Sequence, residues 1–165
     1  MEAREGAKGR RDVEGYIVSK SLNWKLIEVP GSARTVDDAA RLLGVDRSSI
    51  VKTLIVICEK GTYAAIVPGD RKLDMAKLRN IAGECRLAKP REVLEKTGYP
   101  AGGVPPIALT PHIKIIVDRG VLEKHIVYGG GGEERVLLEF SPQELLKVVE
   151  ATVADVSVRL SNSRL

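Results

Sequence analysis

Polar and apolar residues alternate along the chain with two spacings, one typical of strands and one typical of helices. The segment NWKLIEVP (23–30) alternates and stops at a proline, which predicts a strand. Residues 49–69 contain two apolar runs separated by the tripeptide EKG, which predicts a β-hairpin. Further strands are predicted at 84–88, 113–118, 125–132, 135–140 and 152–158.

Helix ends are marked by residues that cap them. Thr35 is a predicted N-cap with two aspartates in the first turn after it, and Gly44 is the predicted C-terminal stop. Asp74 and Ser141 are predicted N-caps of two later helices. A proline in the first turn and a glycine just past the end mark another helix. The predicted helices are 12–21, 35–45, 73–83, 89–98 and 141–150, with a turn or short helix at 119–124.

The order of these elements does not repeat a strand–helix unit. Hairpins mixed with scattered helices predict an α+β fold, in which helices surround a curled, mixed, mainly antiparallel β-sheet. No linker is long enough to divide the 165 residues, which suit one domain with a sizeable core. We therefore expect a single domain at 12–158, a basic and loosely ordered N-terminus at 1–11, and a loose tail at 159–165.

Composition narrows the range of functions. Aromatic residues make up only 4% of the chain, which argues against binding nucleic acid by stacking bases on a row of rings. The net charge of +4 permits contact with nucleic acid without requiring it. Part of this charge lies at Arg4, Lys8, Arg10 and Arg11, which we interpret as a solvated terminus.

The two cysteines, Cys58 and Cys85, lie far apart and show no CxxC spacing, so a structural zinc site is not expected. Cys58 ends an apolar run and is predicted to be a small core residue. Two such cysteines fit a reducing compartment. No signal peptide and no run long enough to span a membrane is visible. We expect a cytoplasmic protein with no membrane contact, no metal and no cofactor.

Lys52 is a charged residue inside an otherwise apolar strand. With an alternation of two it shares a face with Leu54 and Val56, where an ammonium is costly unless it finds a partner or reaches water. One interpretation places Lys52 at the mouth of the strand, with its ammonium extending into solvent. The other places a cation at the lip of a pocket, where it would bind an anion.

The segment TGYPAGGVPPIAL (97–109) contains glycines and prolines at a density that a simple connection does not need. Its centre, residues 102–106, has the pattern GxxxP. Glycines allow a ligand to approach the backbone, and prolines would hold the N–H groups in place as donors to a developing oxyanion. A rigid turn after a helix explains the same residues without any function.

A second glycine run, from Gly129 to Gly132, ends a predicted strand. It matches neither the GxGxxG pattern nor a phosphate-binding loop that ends in GK[ST]. The run is therefore interpreted either as a flexible turn or as a second backbone wall of a pocket.

Other candidates for catalysis are weak. His112 and His125 lack a Ser, Cys or carboxylate at the spacing of a catalytic triad or a metal site. Asp118 precedes an Arg-Gly pair, which favours a role in a turn. The residues do not support a protein nucleophile. What remains is a cation and backbone donors around a small apolar cavity.

Three segments carry a family resemblance: AARLLGVDRSSIVKTLIV (39–56), GYPAGGVPPIAL (98–109) and IVYGGGGEERVLLEFSPQEL (126–145). In order and spacing they resemble the YbaK/ProX family of free-standing aminoacyl-tRNA deacylases. This family is similar to the editing domain inserted in bacterial prolyl-tRNA synthetases. The resemblance runs from about residue 12 to about residue 158.

The resemblance implies a barrel-like sheet of six or seven strands and hydrolysis of the ester between a wrong amino acid and the acceptor end of tRNA. It implies that Lys52 positions the terminal adenosine and its phosphate, and that a ribose hydroxyl of the substrate helps to activate water. The implied catalytic residues are Lys52, Gly102 and Gly103, and the implied substrate-binding residues are Val104, Pro105, Pro106, Gly129, Gly130 and Gly131.

A small amino acid of the Ala, Ser or Cys class is the expected substrate. A synthetase rejects a smaller side chain poorly, since one methylene is worth only ~1–3 kcal/mol, and a second, smaller sieve corrects the error. Relatives that clear cysteine commonly carry a Tyr near Val29 and an acidic residue near Leu137. Both positions are apolar here, which leaves the amino acid and the tRNA open, with tRNA-Pro one possibility. The alternative is a non-catalytic module that binds aminoacyl-tRNA or a synthetase.

Overall fold

The computed structural model describes residues 7–160, in which five α-helices and ten strands form an α+β fold. The helices are α1 (Arg10–Ser19), α2 (Val36–Leu43), α3 (Met75–Ala82), α4 (Pro90–Thr97) and α5 (Pro142–Val148). The strands are β1 (Lys25–Glu28), β2 (Val51–Cys58), β3 (Gly61–Pro68), β4 (Arg71–Leu73), β5 (Cys85–Leu87), β6 (Lys114–Asp118), β7 (Val127–Gly130), β8 (Val136–Phe140), β9 (Ala151–Ala154) and β10 (Ser157–Arg159). Two short 3₁₀ helices cover Arg47–Ser49 and Arg119–Glu123.

The helix starts follow the capping residues that the sequence contains. The side-chain oxygen of Thr35 accepts a hydrogen bond from the amide of Asp38 at 3.1 Å, and Gly44 ends α2 with a φ of 69°. Asp74 and Ser141 cap α3 and α5 through the same kind of bond. The predicted N-caps are therefore confirmed.

The largest sheet has five strands in the order β5-β2-β3-β6-β9. Its centre is the predicted hairpin of β2 and β3, which pairs Val51 with Pro68 and Cys58 with Gly61. β5 pairs antiparallel with the C-terminal end of β2 only. β6 runs parallel to β3 and β9 runs parallel to β6, and helices lie in the connections that parallel strands require.

Two smaller antiparallel sheets have the orders β1-β8-β7 and β10-β4. A parallel bridge between Ile50 and Tyr128 brings β7 beside the start of β2. Mixed and mainly antiparallel pairing is confirmed, because two of the seven strand pairs in the described residues, β3–β6 and β6–β9, are parallel and the other five are antiparallel.

The prediction of one curled sheet of six or seven strands is wrong, since residues 7–160 form three sheets. The barrel-like closure is not confirmed either. An apolar pattern shows where strands lie, but long-range pairing decides which strands become neighbours.

One apolar cluster joins the five-stranded and three-stranded sheets. It contains Ile55 and Ile66 from the β2–β3 hairpin together with Leu138 and Phe140 from β8. Trp24 packs against Phe140 with ring centroids 5.3 Å apart. The five-stranded and three-stranded sheets therefore share one core.

The two cysteines are paired, contrary to the sequence prediction. Cys58 of β2 and Cys85 of β5 form a disulfide. The antiparallel register places them directly opposite each other, although they are 27 residues apart in the sequence. Sequence spacing does not reveal register, so the pair was not expected. Because the two cysteines are joined, they do not indicate a reducing compartment.

The chain ends differ in part from the predicted loose termini. Arg10 and Arg11 lie in α1, and Arg159 lies in β10. The amide of Lys8 donates to the carbonyl of Gly98 at 2.8 Å. Arg4 and the tail residues 161–165 lie outside the described residues. Within 7–160, no helix combines the length and the apolar character needed to cross a bilayer.

Candidate functional site

A cavity of about 180 Å³ lies beside the first half of β2. Its walls come from the N-terminal half of α2, the start of β2, the segment 97–109, called here the Gly/Pro loop, and the end of β7. The apolar lining residues include Val36, Ala39, Ile50, Val51, Leu54, Val104 and Leu137. The polar lining side chains are Arg34, Thr35, Lys52 and Thr53, and Gly102, Gly129 and Gly130 add bare backbone.

The cavity exists because β2 has a free edge. β5 pairs with β2 only from Val56 to Cys58, and residues 51–54 extend beyond it. Pro68 opposite Val51 has no N–H, and the amide of Ala88 donates to the carbonyl of Ile55 at 2.9 Å. In an antiparallel strand the backbone groups of alternate residues point to opposite sides. The N–H and C=O groups of Val51 and Thr53 therefore point away from β3, those of Val51 toward β7 and those of Thr53 toward the cavity.

The Gly/Pro loop reaches this edge through Gly102, which has a φ of 84°. A β-carbon at Gly102 would lie 3.1 Å from the β-carbon and the carbonyl oxygen of Arg34, so the loop packs directly against that residue. The positive φ and the close contact both require glycine.

The loop's N–H groups are not equivalent. The amide of Gly103 donates to the carbonyl of Pro100 at 2.9 Å, so it is already used. The amides of Gly102 and Val104 make no hydrogen bond within residues 7–160. Buried N–H groups without an acceptor are rare in proteins. Val104 is buried and fits this description, whereas Gly102 is exposed, so its amide is open to solvent. Both residues line the cavity, so both amides are available to a ligand there.

The second glycine run packs against the Gly/Pro loop. The amide of Gly132 donates to the carbonyl of Gly103 at 2.9 Å. A β-carbon at Gly130 would overlap the carbonyl oxygen of Val104, so the two backbones are in direct contact. The run is thus a second backbone wall, one of the two interpretations that the sequence allowed.

The structure brings together some of the sequence-derived candidates and leaves others aside. Lys52, Gly102, Val104, Gly129 and Gly130 line the cavity. The remaining candidates, Gly103, Pro105, Pro106 and Gly131, are buried beside it and do not line it.

Lys52 is half-buried, and its Nζ donates to the carbonyl of Arg71 at 2.8 Å. Burial lowers the pKa of this ammonium, the nearby charge of Arg47 lowers it further, and Asp70 opposes both effects. An ammonium has three donors, so two stay available after the bond to Arg71. The side chain is therefore both anchored to β4 and placed at the cavity wall.

Sequence reasoning missed two polar side chains of the cavity. The Oγ1 of Thr53 is buried and makes no hydrogen bond within the described part of the chain. Arg34 is exposed, stands at the cavity's edge and forms no ion pair among residues 7–160. No signal in the sequence marked Thr53, because a threonine in the strand pattern VKTL is ordinary and only the structure shows that its hydroxyl lacks a partner.

The weaker candidates lie elsewhere. Both histidines, His112 and His125, are exposed and do not line the cavity. Asp118 is buried, and its two oxygens accept from the amides of Val156 and Gly120 at 2.9 and 3.0 Å. This confirms the predicted turn-forming role of Asp118. Within residues 7–160, no three His, Cys, Asp or Glu side chains lie close enough together to hold a metal ion.

Larger depressions of about 770 and 560 Å³ occur on other faces of the molecule. Of the sequence-derived candidates, Asp118 alone, already assigned to a turn, lines either of them. The smaller cavity is the one that combines a cation, an unpartnered hydroxyl and bare glycine backbone, so we take it as the candidate site.

Residues 31–148, which include every wall of this cavity, match the aminoacyl-tRNA editing domain. The chain belongs to this family. YwhH of Bacillus subtilis, a protein without an assigned function, is 35% identical over 120 residues, which cover 72% of this chain and 76% of YwhH. The resemblance found in the sequence is thereby confirmed.

The chain also matches part of much longer enzymes. The proline–tRNA ligase of Thermosipho melanesiensis is 36% identical over 109 residues, which cover 64% of this chain and 19% of the ligase. That of Citrifermentans bemidjiense is 26% identical over 174 residues, which cover 30% of the ligase. The chain thus spans less than a third of the length of these ligases.

Two solved structures share the fold along nearly their whole length. The hypothetical protein APE2540 superposes with a TM-score of 0.85 at 51% identity, covering 89% of this chain and 99% of that one. A candidate trans-editing enzyme for prolyl tRNA synthetase superposes with a TM-score of 0.83 at 34% identity, covering 95% and 99%.

Proposed function

We propose that this chain is a trans-editing hydrolase that removes a small amino acid from mischarged tRNA. The observation that carries the proposal is the cavity of about 180 Å³, whose lining combines Lys52 with Gly102 and Val104, two residues whose amides have no partner within residues 7–160. Membership of the aminoacyl-tRNA editing family supports the substrate class. The similarity to a candidate trans-editing enzyme and to part of the proline–tRNA ligases favours tRNA-Pro.

The size and lining of the cavity favour a small side chain. Leu137, Val36 and Ala39 present apolar surface, while Thr53 offers one hydroxyl. We assign the cavity to Ala, Ser or Cys, because a narrow site of this kind excludes the larger amino acid that the synthetase accepts. Such a second sieve supplies discrimination that a difference of one methylene cannot.

The proposed reaction is attack of water on the ester carbonyl carbon. The amides of Gly102 and Val104 would bind the carbonyl oxygen as negative charge develops on it, the role of an oxyanion hole. The bond between the carbonyl carbon and the ribose oxygen then breaks. That oxygen takes up a proton, releasing the free amino acid and the tRNA with its hydroxyl restored.

The chain's own side chains hold the substrate in this scheme. The two free donors of Lys52 bind polar groups at the terminal ribose, while the bond to Arg71 fixes the ammonium. The neighbouring ribose hydroxyl orients the attacking water. The lining supplies no Asp, Glu, His or Cys that would do so. Because aminoacyl-tRNA is used in translation, we also propose that the chain acts in the cytoplasm.

The same lining favours a second candidate function. A cavity without an acidic, imidazole or thiol side chain also suits a module that binds an aminoacyl-tRNA end, or a synthetase, without cleaving it. The two functions differ in turnover, which is measured directly.

Deacylation of a panel of tRNAs charged with Ala, Ser, Cys and Pro tests the proposal. We expect the chain to cleave at least one of the three small amino acids and to spare Pro on tRNA-Pro. Lys52→Ala is expected to lower kcat/KM by about 10- to 100-fold, the equivalent of one or two charge-assisted hydrogen bonds.

Lys114→Ala is the matched control, because the Nζ of Lys114 also donates to a backbone carbonyl, that of Lys60, away from this cavity. It should leave deacylation unchanged. No cleavage of any charged tRNA, combined with tight binding of them, would favour the binding module. Full activity of Lys52→Ala would contradict the role assigned to the ammonium.

A further inference from the structure

Arg34 stands between the enclosed cavity and a second, open depression of about 320 Å³. The depression is lined by Ser32, Arg34, Thr35, Asp38, Ala101 and Gly102. Three of these residues, Arg34, Thr35 and Gly102, also line the cavity. The depression of about 560 Å³ beside Arg71 shares no lining residue with the cavity. On the Arg34 side the cavity therefore adjoins an open depression.

The charge of Arg34 is not neutralised by the protein. Arg41 in α2 and Arg47 after it form ion pairs with Asp38 and Asp37, respectively, at 3.0 Å. The carboxylate that lines the open depression is thus already paired. Arg34 makes no ion pair and no side-chain hydrogen bond within residues 7–160. Its guanidinium is an exposed cation available to an external anion.

The backbone of Arg34 is held in place while its guanidinium is free. The preceding residue, Ala33, donates its amide to the carbonyl of Glu134 at 3.0 Å. The following residue, Thr35, caps α2. The Gly/Pro loop packs on the β-carbon of Arg34 through Gly102. A side chain fixed at its base and free at its tip can direct a cation to one place.

The proposed substrate has an anion at this place. When the amino acid occupies the cavity, the terminal ribose lies at its mouth. The phosphodiester that joins this ribose to the preceding nucleotide then lies outside. A guanidinium matches phosphate geometry with two parallel hydrogen bonds. Lys52 lines the cavity but not the open depression, so Arg34 is the cation that lines both.

We propose that Arg34 binds the phosphodiester on the 5′ side of the terminal adenosine, and that the tRNA 3′ end leaves the cavity through the open depression. This inference rests on the proposed function. It adds Arg34 to Lys52, to which the family resemblance gave the terminal adenosine and its phosphate.

Two minimal substrates separate the phosphate contact from the contacts with the amino acid, the ribose and the base. One is adenosine esterified on its ribose with the amino acid that the chain removes fastest, and it has no phosphate. The other is the cytidylyl-adenosine dinucleotide with the same ester, which has one phosphodiester. Arg34→Ala should lower kcat/KM on the dinucleotide about tenfold, as expected for one exposed charge-assisted contact, and leave the nucleoside ester unchanged.

Two further variants sharpen the comparison. Arg34→Lys should recover part of the loss, because it keeps the charge but not the paired donors. Arg91→Ala removes an exposed arginine of α4 that lines none of the four depressions, and it should match the wild type on both substrates. With full-length tRNA, loss of one phosphate contact should also reduce the slope of log(kcat/KM) against log salt by about 0.7.

A binding measurement keeps the test independent of turnover. The same two compounds with the ester replaced by an amide resist hydrolysis, and calorimetry should show the phosphate improving affinity for the wild type but not for Arg34→Ala. If Arg34→Ala lowered kcat/KM equally on the two esters, or lowered it on neither, the assignment of Arg34 would be overturned. The same holds for its effect on affinity for the two amides. Binding of the amides without cleavage of the esters would overturn the hydrolase while leaving the phosphate contact standing. Binding of neither amide would overturn both proposals.

Discussion

Gly130 lies where the second glycine run meets the Gly/Pro loop, and no side chain fits there. A β-carbon would overlap the carbonyl oxygen of Val104 and lie 2.9 Å from the carbonyl carbons of Gly103 and Val104. All of these are backbone atoms, so the cavity wall itself must move. We expect Gly130→Ala to cost about 1–3 kcal/mol of unfolding free energy and to abolish most deacylation, measured by urea denaturation and by initial rates.

Gly15→Ala is the matched control for that substitution. Gly15 lies inside α1 and a β-carbon there meets no atom within 4 Å. It should therefore stabilise the protein by about 0.5–1 kcal/mol and leave deacylation intact. If both alanine variants behaved alike, the contact between the two glycine-rich segments would not be the reason for the loss.

The depressed pKa of Lys52 predicts that the rate of deacylation depends on pH. If its charged form is required, deacylation falls as the pH rises through a pKa that lies below that of free lysine. Arg47→Ala removes a positive neighbour, which should raise this pKa and move the fall to higher pH. Asp70→Asn removes a negative neighbour and should move it to lower pH.

The measurement is the rate above the spontaneous hydrolysis of the ester, from neutral to alkaline pH. Opposite shifts in the two variants are the expected result. Shifts in the same direction, or a profile that neither variant changes, would show that another group controls the reaction.

Single residues differed in how well the sequence revealed them. Lys52 was visible because a charge inside an apolar strand conflicts with its surroundings. Thr53 was not, because threonine is common in strands and only the fold shows that its hydroxyl lacks a partner. Arg34 resembles any solvated residue before an N-cap, and only the contact with Gly102 places it beside the cavity.

The edge of β2 is the element on which the site depends, and the disulfide ties β5 to the C-terminal end of that edge. Reduction releases a loop of 27 residues in the unfolded chain. In the loop-closure account this costs about 3–4 kcal/mol of stability. We expect Tm to drop when a reductant is added, as followed by circular dichroism.

A double variant, Cys58→Ser with Cys85→Ser, provides the control for this prediction. Its Tm should be low already and should not respond to reductant. A wild-type Tm that is insensitive to reductant, together with two thiols that react with a thiol reagent in the folded protein, would mean that the cysteines are not joined.

Elements with their own local markers were predictable. Thr35, Asp74 and Ser141 marked helix starts, and the tripeptide EKG marked the hairpin. β4 was missed, because its three residues become a strand only by pairing with β10. The segment 152–158 was predicted as one strand but holds parts of β9 and β10, which join different sheets. Whether such short segments form strands, and in which sheet, depends on strands that are distant in the sequence.

At the scale of the whole molecule, the cavity is a product of how the sheets meet. The bridge between Ile50 and Tyr128 places the end of β7 beside β2, and the Gly/Pro loop closes the gap. Sequence patterns predicted the α+β class and the segments that form the walls. They could not predict three sheets in place of one, since apolar alternation is the same whether a strand's neighbour lies in one sheet or another.

The shared core predicts that the two larger sheets unfold together. Leu138 is fully buried in β8 and belongs to the cluster that also contains Val51, Ile55 and Val104. Leu138→Ala should cost about 2–5 kcal/mol of unfolding free energy, whereas Val18→Ala, at a site that is 76% exposed, should cost less than about 0.5 kcal/mol.

Fluorescence of Trp24, the single tryptophan, reports on the β8 side of the core, and far-ultraviolet circular dichroism reports on the whole chain. Coincident denaturation curves from the two signals are expected for both variants. If the tryptophan signal changed first, the three-stranded sheet would unfold separately, and the cavity would open before the rest of the fold is lost.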